Sequence, residues 1–397
     1  MTGVVKGVRL GVAQAGIKTA DRDDVILIGL GANTQTAAVF TQNAFRAAPV
    51  QLAESHLEAI AGQAAFLLVN TGNANAGTGA QGISDAERCC AAVAKQAATP
   101  MQQILPFSTG VIGEAFPTER VVAAVPHAFS HLSERNWEQA AAAILTTDTR
   151  PKLRSARIEL DGGACTITGI AKGAGMICPN LATMLAFIAT DAEIENGMLD
   201  RLLKAAVNAS FNRITVDGDT STNDAVTLSA TGESGVYIAQ DSPHFARFAE
   251  ALTQLMIELA QDIVRDGEGA SKFVEIRVSG GETSAVCDTV ARTIAHSPLV
   301  KTALFASDPN WGRILAAIGR AGVDNLDTDS VAIHINGTLI AEAGARATSY
   351  SEERGVEAMQ AKDLVIEVML NRGDAASTVW TTDLSYDYVK INAEYRT

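Results

Sequence analysis

The sequence predicts a mixed α/β chain built of α+β layers, and three features predict it. Short apolar runs rich in Val, Ile and Leu, bounded by Gly, Asp or Asn, alternate with Ala-rich stretches whose apolar residues recur at helical spacing. Aromatic residues are only 5% of the chain, so small and branched aliphatic side chains must fill the large core that 47% hydrophobic content allows. Strands and helices intermingle along all 397 residues, with no repeat of fixed period and no low-complexity linker.

Taken in order, "DDVILIGL", "AAFLLVN", "SARIEL", "KFVEIRVSG", "SVAIHINGTLI" and "DLVIEVML" read as strands. "DAERCCAAVAKQAA", "NWEQAAAAILTT", "NGMLDRLLKAAVNASF" and "HFARFAEALTQLMIELAQDIVRD" read as helices, the last closed by the glycines of "GEGASK". Where that long helix gives way to a strand-rich tail, around residues 270–300, a boundary is expected. It separates a larger sandwich-like domain, 1–275, from a smaller α/β domain, 276–397.

A formal net charge of -14 disfavours nucleic acid or an anionic membrane as partner. The five cysteines (Cys89, Cys90, Cys165, Cys178, Cys287) form no CxxC pair and suggest free thiols in a reducing compartment. The start lacks the apolar run of a secretory signal, and no stretch approaches the roughly 18 residues of a membrane span, so a cytoplasmic location is expected.

Most familiar chemistry is excluded by residue type. In "ILIGLGANT" Gly29 and Gly31 follow a strand, but Thr34 stands where a dinucleotide fingerprint needs its third glycine. No phosphate loop occurs, and the six histidines are scattered without an HExxH pair, so no metal site is expected. "DGDTSTND" has Thr222 where a calcium loop needs glycine and Leu228 where it needs the bidentate glutamate, and reads as a hydrogen-bonded turn. A serine elbow, GxSxG, is missing.

"KGAGMICPNLATMLAFIATDA", residues 172–192, is different. A small-residue loop passes through Pro179-Asn180 into a hydrophobic element, with Thr183 at the junction. A threonine hydroxyl is a weak nucleophile without a base. One remedy needs no histidine: as the first residue of a chain, Thr183 would use its own α-amine, which titrates near 7.7–8.0. That requires a cut between Ala182 and Thr183. On residue type alone, a core threonine remains the plainer reading.

The same stretch closely resembles the processing site of the ornithine acetyltransferase (ArgJ) family. The resemblance spans the chain through "GVRLGVAQAGIK", "AAVFTQNAFRAAPV", "LLVNTGNANAGTG", "STGVIGE", "TTDTRPK", "FNRITVDGDTSTND", "DGEGASK", "SDPNWGRILAAIGRAG" and the terminal "NAEYRT". It implies a self-processing fold of the N-terminal-nucleophile type, akin to that of DmpA-like aminopeptidases. It also implies an α chain 1–182 and a β chain 183–397 that assemble as two of each, and a C-terminal tail that returns to the active site.

By resemblance, Thr183 takes acetyl from N-acetyl-L-ornithine and passes it to L-glutamate. Thr109 and Gly110 match the family's oxyanion pair, and Lys172, Glu268, Asn392 and Thr397 its substrate contacts. Either Thr146 or Thr147 matches the binding threonine, with Thr146 favoured by spacing. No cofactor is implied. Some members also use acetyl-CoA to make N-acetylglutamate, and the resemblance leaves that open here. A related self-processing aminopeptidase or amidase is the alternative enzyme, and a non-catalytic amino-acid or nucleotide binder the alternative of another class.

Overall fold

A computed structural model describes residues 3–160, 163–178 and 184–394. The chain divides into two units, Met1–Asn212 with Asp219–Ile263 and Arg213–Gly218 with Val264–Thr397. The first contains, in chain order, β1 (Val8–Ala13), β2 (Val25–Leu30), β3 (Gln35–Phe40), α1 (Ala48–Ala59), β4 (Phe66–Asn73), α2 (Gly79–Ala97), β5 (Ile104–Val111), α3 (Thr118–Ser130) and α4 (Trp137–Ala143). It continues with β6 (Lys152–Leu160), β7 (Gly163–Lys172), β8 (Leu185–Thr190), β9 (Glu193–Ile194), α5 (Met198–Ala209), β10 (Ala225–Ala230), β11 (Tyr237–Ile238) and α6 (Phe245–Arg265).

Among the described residues, this unit has two principal sheets, ordered β1-β2-β4-β5 and β3-β10-β8-β7-β6. Side chains alternate across a strand, and here both faces are apolar. Ile26, Ile28, Leu67, Val69, Leu105 and Phe107 share a core with Ile170, Leu185 and Phe187 of the second sheet. Their neighbours Val25, Leu27, Phe66, Leu68 and Ile104 pack instead with Cys89, Val93, Val121 and Val125 of α2 and α3. Two buried faces explain why these strands read as unbroken apolar runs rather than alternating ones. Each such side chain stabilises the fold by roughly 1.5–3 kcal/mol. On the far side of the second sheet, α6 comes so close that a Cβ at Gly169 would stand 3.1 Å from Leu259 and 3.3 Å from Leu255. The layers are helix, sheet, sheet, helix.

The second unit contains β12 (Phe273–Gly281), α7 (Ser284–Ala295), α8 (Pro298–Phe305), α9 (Trp311–Gly319), β13 (Ala332–Ile335), β14 (Thr338–Glu342), β15 (Ala345–Arg346), α10 (Glu352–Met359), β16 (Asp363–Met369), β17 (Ala375–Thr382) and α11 (Tyr386–Ala393). Its sheet runs β15-β14-β13-β16-β12-β17, with β12 and β16 parallel. Ile276 and Val278 pack with Val290 and Ile294 of α7 and with Ile333 and Ile366 in one core. Thr283 and Ser297 cap α7 and α8 by accepting from Val286 N and Val300 N. "SVAIHINGTLI" is not one strand but a hairpin. Asn336 and Gly337, with φ of 47° and 76°, turn β13 into β14, which is the two-residue turn that matches strand twist.

All five cysteines are buried. Among the described residues, no helix is long and apolar enough to cross a membrane, and no group of three His, Cys, Asp or Glu is placed to hold a metal.

Candidate active site

In the first unit, the site residues lie where strands end. β5 runs parallel to β4 and reaches Thr109 and Gly110 opposite Thr71 and Gly72, where the register slips by a bulge. Gly110 has φ of 137°, and a Cβ there would stand 2.2 Å from the Gly72 carbonyl carbon. No other residue fits, so the backbone of the "STG" segment is fixed by contact as well as by conformation. A polar scaffold underlies it. Ser108 Oγ donates to Asn70 Oδ1 at 2.5 Å, and Asn70 Nδ2 donates to Asn73 O at 2.8 Å. Asn223 Nδ2 donates to both Ala74 O and Ser108 O, at 2.7 and 2.9 Å. Asn70 of "LLVNTGNANAGTG" thereby holds the Ser108 side chain, and Asn223 of "DGDTSTND" holds the Ser108 carbonyl, next to Thr109.

Lys172 ends β7, opposite Leu185, the first residue of β8. It is 3% exposed, and its Nζ lies 3.4 Å from Thr109 Oγ1, itself 6% exposed. The ammonium donates to the hydroxyl oxygen, which leaves the Thr109 O–H to donate elsewhere. A buried lysine needs compensation. Asp148, in the loop after α4, supplies it. Its Oδ1 accepts from Lys152 Nζ at 2.6 Å and from Gly173 N at 2.7 Å, and its Oδ2 accepts from Thr146 N at 3.1 Å. The Asp148 and Lys152 side chains are both 0% exposed. Burial by itself would push the Asp148 carboxyl up, but the Lys172 and Lys152 charges, with the Lys152 and Gly173 hydrogen bonds, hold it down at about 2.

A second buried carboxyl, Asp224, precedes β10. Its Oδ1 accepts from Met184 N at 3.0 Å, the amide of the peptide bond that follows Thr183. Burial pushes this carboxyl well above the ordinary range, against the pull of the Met184 hydrogen bond and the Lys172 charge. The "DGDTSTND" segment is hydrogen-bonded, as its composition indicates. Thr41 Oγ1 donates to Ser221 O and Asn43 Nδ2 to Thr220 O.

The second unit brings together two other residues singled out in the sequence. Asn392 on α11 donates through Nδ2 to Glu268 Oε2 at 2.8 Å. The helix is held against the "GEGASK" loop by several contacts. Ser385, its N-cap, donates to Gly269 O at 2.7 Å, and Asp383 Oδ1 accepts from Ser271 N and Lys272 N at 2.9 and 3.1 Å. Gly269, with φ of 66°, admits Tyr388 N to 2.4 Å from where a Cβ would be. Tyr388 Oη donates to Asp217 Oδ2 at 3.2 Å. α11 is thus a docked helix rather than a frayed end.

The structure therefore pairs Thr109 with Lys172 and Glu268 with Asn392, and places Thr146 on the carboxylate that also holds Gly173. Thr147 is half-buried beside it. Ala182, Thr183 and Thr397 lie outside the described residues. Sequence reasoning missed Asp148 and Asp224, although both stand in quoted segments, "TTDTRPK" and "DGDTSTND". A carboxylate close to a lysine bound for the interior was the available signal.

The ArgJ family model matches residues 9–397. The arginine biosynthesis bifunctional protein ArgJ of Methylococcus capsulatus is 55% identical over 395 residues, covering 99% of this chain and 96% of that protein. Its namesake from Pseudomonas fluorescens is 51% identical over 395 residues, covering 99% and 97%. Among solved structures, arginine biosynthesis bifunctional protein ArgJ from Bacillus halodurans is 41% identical with a TM-score of 0.51. That match covers 53% of this chain and 98% of the solved one. The strand ends that gather Thr109, Gly110 and Lys172 thus lie in a chain similar to the two bifunctional relatives over 395 residues, and the chain belongs to the ArgJ family.

Proposed function

We infer that this enzyme moves acetyl from N-acetyl-L-ornithine to L-glutamate through an acetyl-Thr183 intermediate. The observation that carries the reading is the buried contact between Lys172 Nζ and Thr109 Oγ1, next to a glycine that nothing else can replace. A tetrahedral oxyanion needs preorganised donors in a site shielded from water, and the Thr109 O–H and Gly110 N–H are proposed to be those donors. Lys172 occupies the acceptor side of the Thr109 hydroxyl, which orients its proton outward.

In the first half-reaction, Thr183 Oγ1 adds to the acetyl carbonyl and its α-amine takes the proton. The C–N bond then breaks and ornithine leaves as the amine, protonated by that same group. In the second half, the amine of glutamate adds to the acetyl-Thr183 ester, and N-acetylglutamate departs as the threonine oxygen recovers its proton. One site serves donor and acceptor in turn, so kinetics should be ping-pong. Glu268, Asn392 and Thr397 are proposed to bind the amino-acid end of the substrates, and Thr146 and Lys172 the acyl-donor side. No cofactor is needed by this route. The relatives' name, bifunctional, extends the proposal to acetyl-CoA as a second acetyl donor.

A free α-amine on Thr183 requires cleavage after Ala182, giving chains 1–182 and 183–397, proposed to assemble as two of each in the cytoplasm. That the solved Bacillus halodurans chain is covered almost completely by about half of this one supports a protein in two pieces. The test is direct. Denatured wild type should run as two chains, the second beginning at Thr183, and Thr183→Ala should stay in one piece and transfer nothing. Cleaved and active Thr183→Ala protein would refute the mechanism. Release of acetate in place of N-acetylglutamate would favour the amidase reading.

A further inference from the structure

We propose that Asp148 is a positioning residue of the transfer site, whose carboxylate holds the Lys172 segment and the Thr146 turn in one arrangement and keeps a negative charge facing Lys172. The proposal rests on the functional reading above. Its ground is the convergence of three segments on one carboxylate that no solvent reaches. Lys152 opens β6, Gly173 directly follows Lys172, and Thr146 lies in the loop after α4. All three donate to Asp148 at 2.6–3.1 Å. Two of these segments carry residues proposed to bind substrate.

The competing explanation is a structural ion pair between Asp148 and Lys152, with Lys172 a bystander. Two observations weigh against it. A pair built for Lys152 alone needs nothing from the Lys172 segment, yet the oxygen that takes Lys152 also takes the amide of Gly173, the residue next to Lys172. In addition, the Lys172 charge is itself one of the influences that hold the Asp148 carboxyl low, so Lys172 takes part in the cluster. Two buried ammonium groups share one carboxylate. Without it, Lys172 would lose a proton more readily, and a neutral amine would donate more weakly to Thr109 Oγ1.

The two explanations separate when the pair is removed as a unit. In D148N/K152M the buried charges of the pair go together, and the amide oxygen can still accept from Gly173 N. A purely structural pair predicts a folded enzyme with wild-type kinetics. Positioning by charge predicts a folded and self-cleaved enzyme whose kcat/KM for N-acetylornithine falls about 10–100-fold, the scale of a lost charge-assisted interaction. The alkaline limb of its kcat/KM profile should move about one unit or more towards lower pH, as Lys172 is left facing only Asp224, whose ionisation burial opposes. K152M alone leaves Lys172 the Asp148 carboxylate and removes a competing positive charge, so its alkaline limb should move to higher pH.

D148N/K152Q, whose side-chain amides can bond to each other, stands in should the first double variant fail to fold. Wild-type kinetics in either folded double variant would overturn the proposal, as would a K152M limb that stays in place or moves to lower pH. Should neither double variant fold, K152M decides by the position of its limb. A wild type that fails to transfer acetyl at all would sink the functional reading and this proposal with it, a result that no variant can mimic.

Discussion

In the first unit Lys152 and Lys172 are buried around a carboxylate, whereas in the second Lys301 is buried among threonine oxygens. Lys301 Nζ donates to Thr382 O and lies 3.1 and 3.2 Å from Thr381 Oγ1 and Thr382 Oγ1. Burial pushes its ammonium down to about 7, and the more distant Asp383 and Asp217 charges pull back without overcoming it. Asp148 in the first unit is held in the opposite condition, charged down to about 2. A buried cation beside a carboxylate stays ionised and can act on a neighbour such as Thr109. One surrounded by neutral oxygens sits near its titration point and serves mainly as a clamp, here on the segment that leads from β17 into α11. Burial alone does not mark a functional lysine; the charge of its partner does.

The contrast is tested most severely by making the same substitution in both places. Lys172→Met should lower turnover by about 10³ or more, since it removes the group proposed to orient the oxyanion donor and to contact substrate. Lys301→Met should leave turnover at pH 8 within about twofold, because no step of the transfer runs through it. Initial rates of both variants, with folding checked by thermal melting, decide the matter. Equal losses from the two would erase the distinction between the units.

Thr109 is the next largest. If Thr109 is the oxyanion donor proposed above, Thr109→Ala should reduce kcat by about 10²–10³, with a smaller change in KM. Thr109→Ser keeps the hydroxyl and should recover most of the rate. A loss expressed only in KM would make Thr109 a binding residue and Lys172 its anchor.

In the second unit, Asn392→Ala removes the hydrogen bond to Glu268 Oε2. A hydrogen bond to a charged group is worth about 1.5–3 kcal/mol, so kcat/KM for N-acetylornithine should fall about 10–100-fold, mostly through KM. Cleavage before Thr183 should proceed normally. Slow cleavage in this variant would mean that α11 supports processing as well as binding.

Much of this was legible because it depends on local pattern. Strands apolar on both faces and the long α6 announce themselves by composition and period, as "DDVILIGL" and "HFARFAEALTQLMIELAQDIVRD" show. The β13–β14 hairpin was misread as one strand because the apolar run continues through Asn336-Gly337, although that dipeptide is a strong turn signal. Lys172 was assigned by resemblance alone, because its burial and its contact with Thr109 depend on segments that only the fold brings together. The contact between "GEGASK" and the terminal helix was equally non-local. Nothing in a single segment states that Gly269 is where α11 touches. Residue type named the chemistry, and tertiary contact supplied the compensation that makes it tenable.

The smallest effect concerns stability alone and comes from Lys301. Its pKa falls from the ordinary 10.5 to about 7 on folding. Between those values the unfolded chain carries a proton there that the folded chain does not, so stability rises with pH across the window. Below about 7 the folded state must hold a charged ammonium among neutral oxygens, and the contribution is lost. Wild type should therefore gain about 2–3 kcal/mol between pH 6 and pH 9 from this group. Lys301→Met removes the titration and keeps much of the buried stem, so its stability should lack that increment. Chemical denaturation of both proteins at the two pH values, compared as a difference to cancel groups they share, measures it. Parallel pH dependence in wild type and variant would show that the Thr381 and Thr382 oxygens stabilise the charged form after all, and the two units would then treat their buried lysines alike.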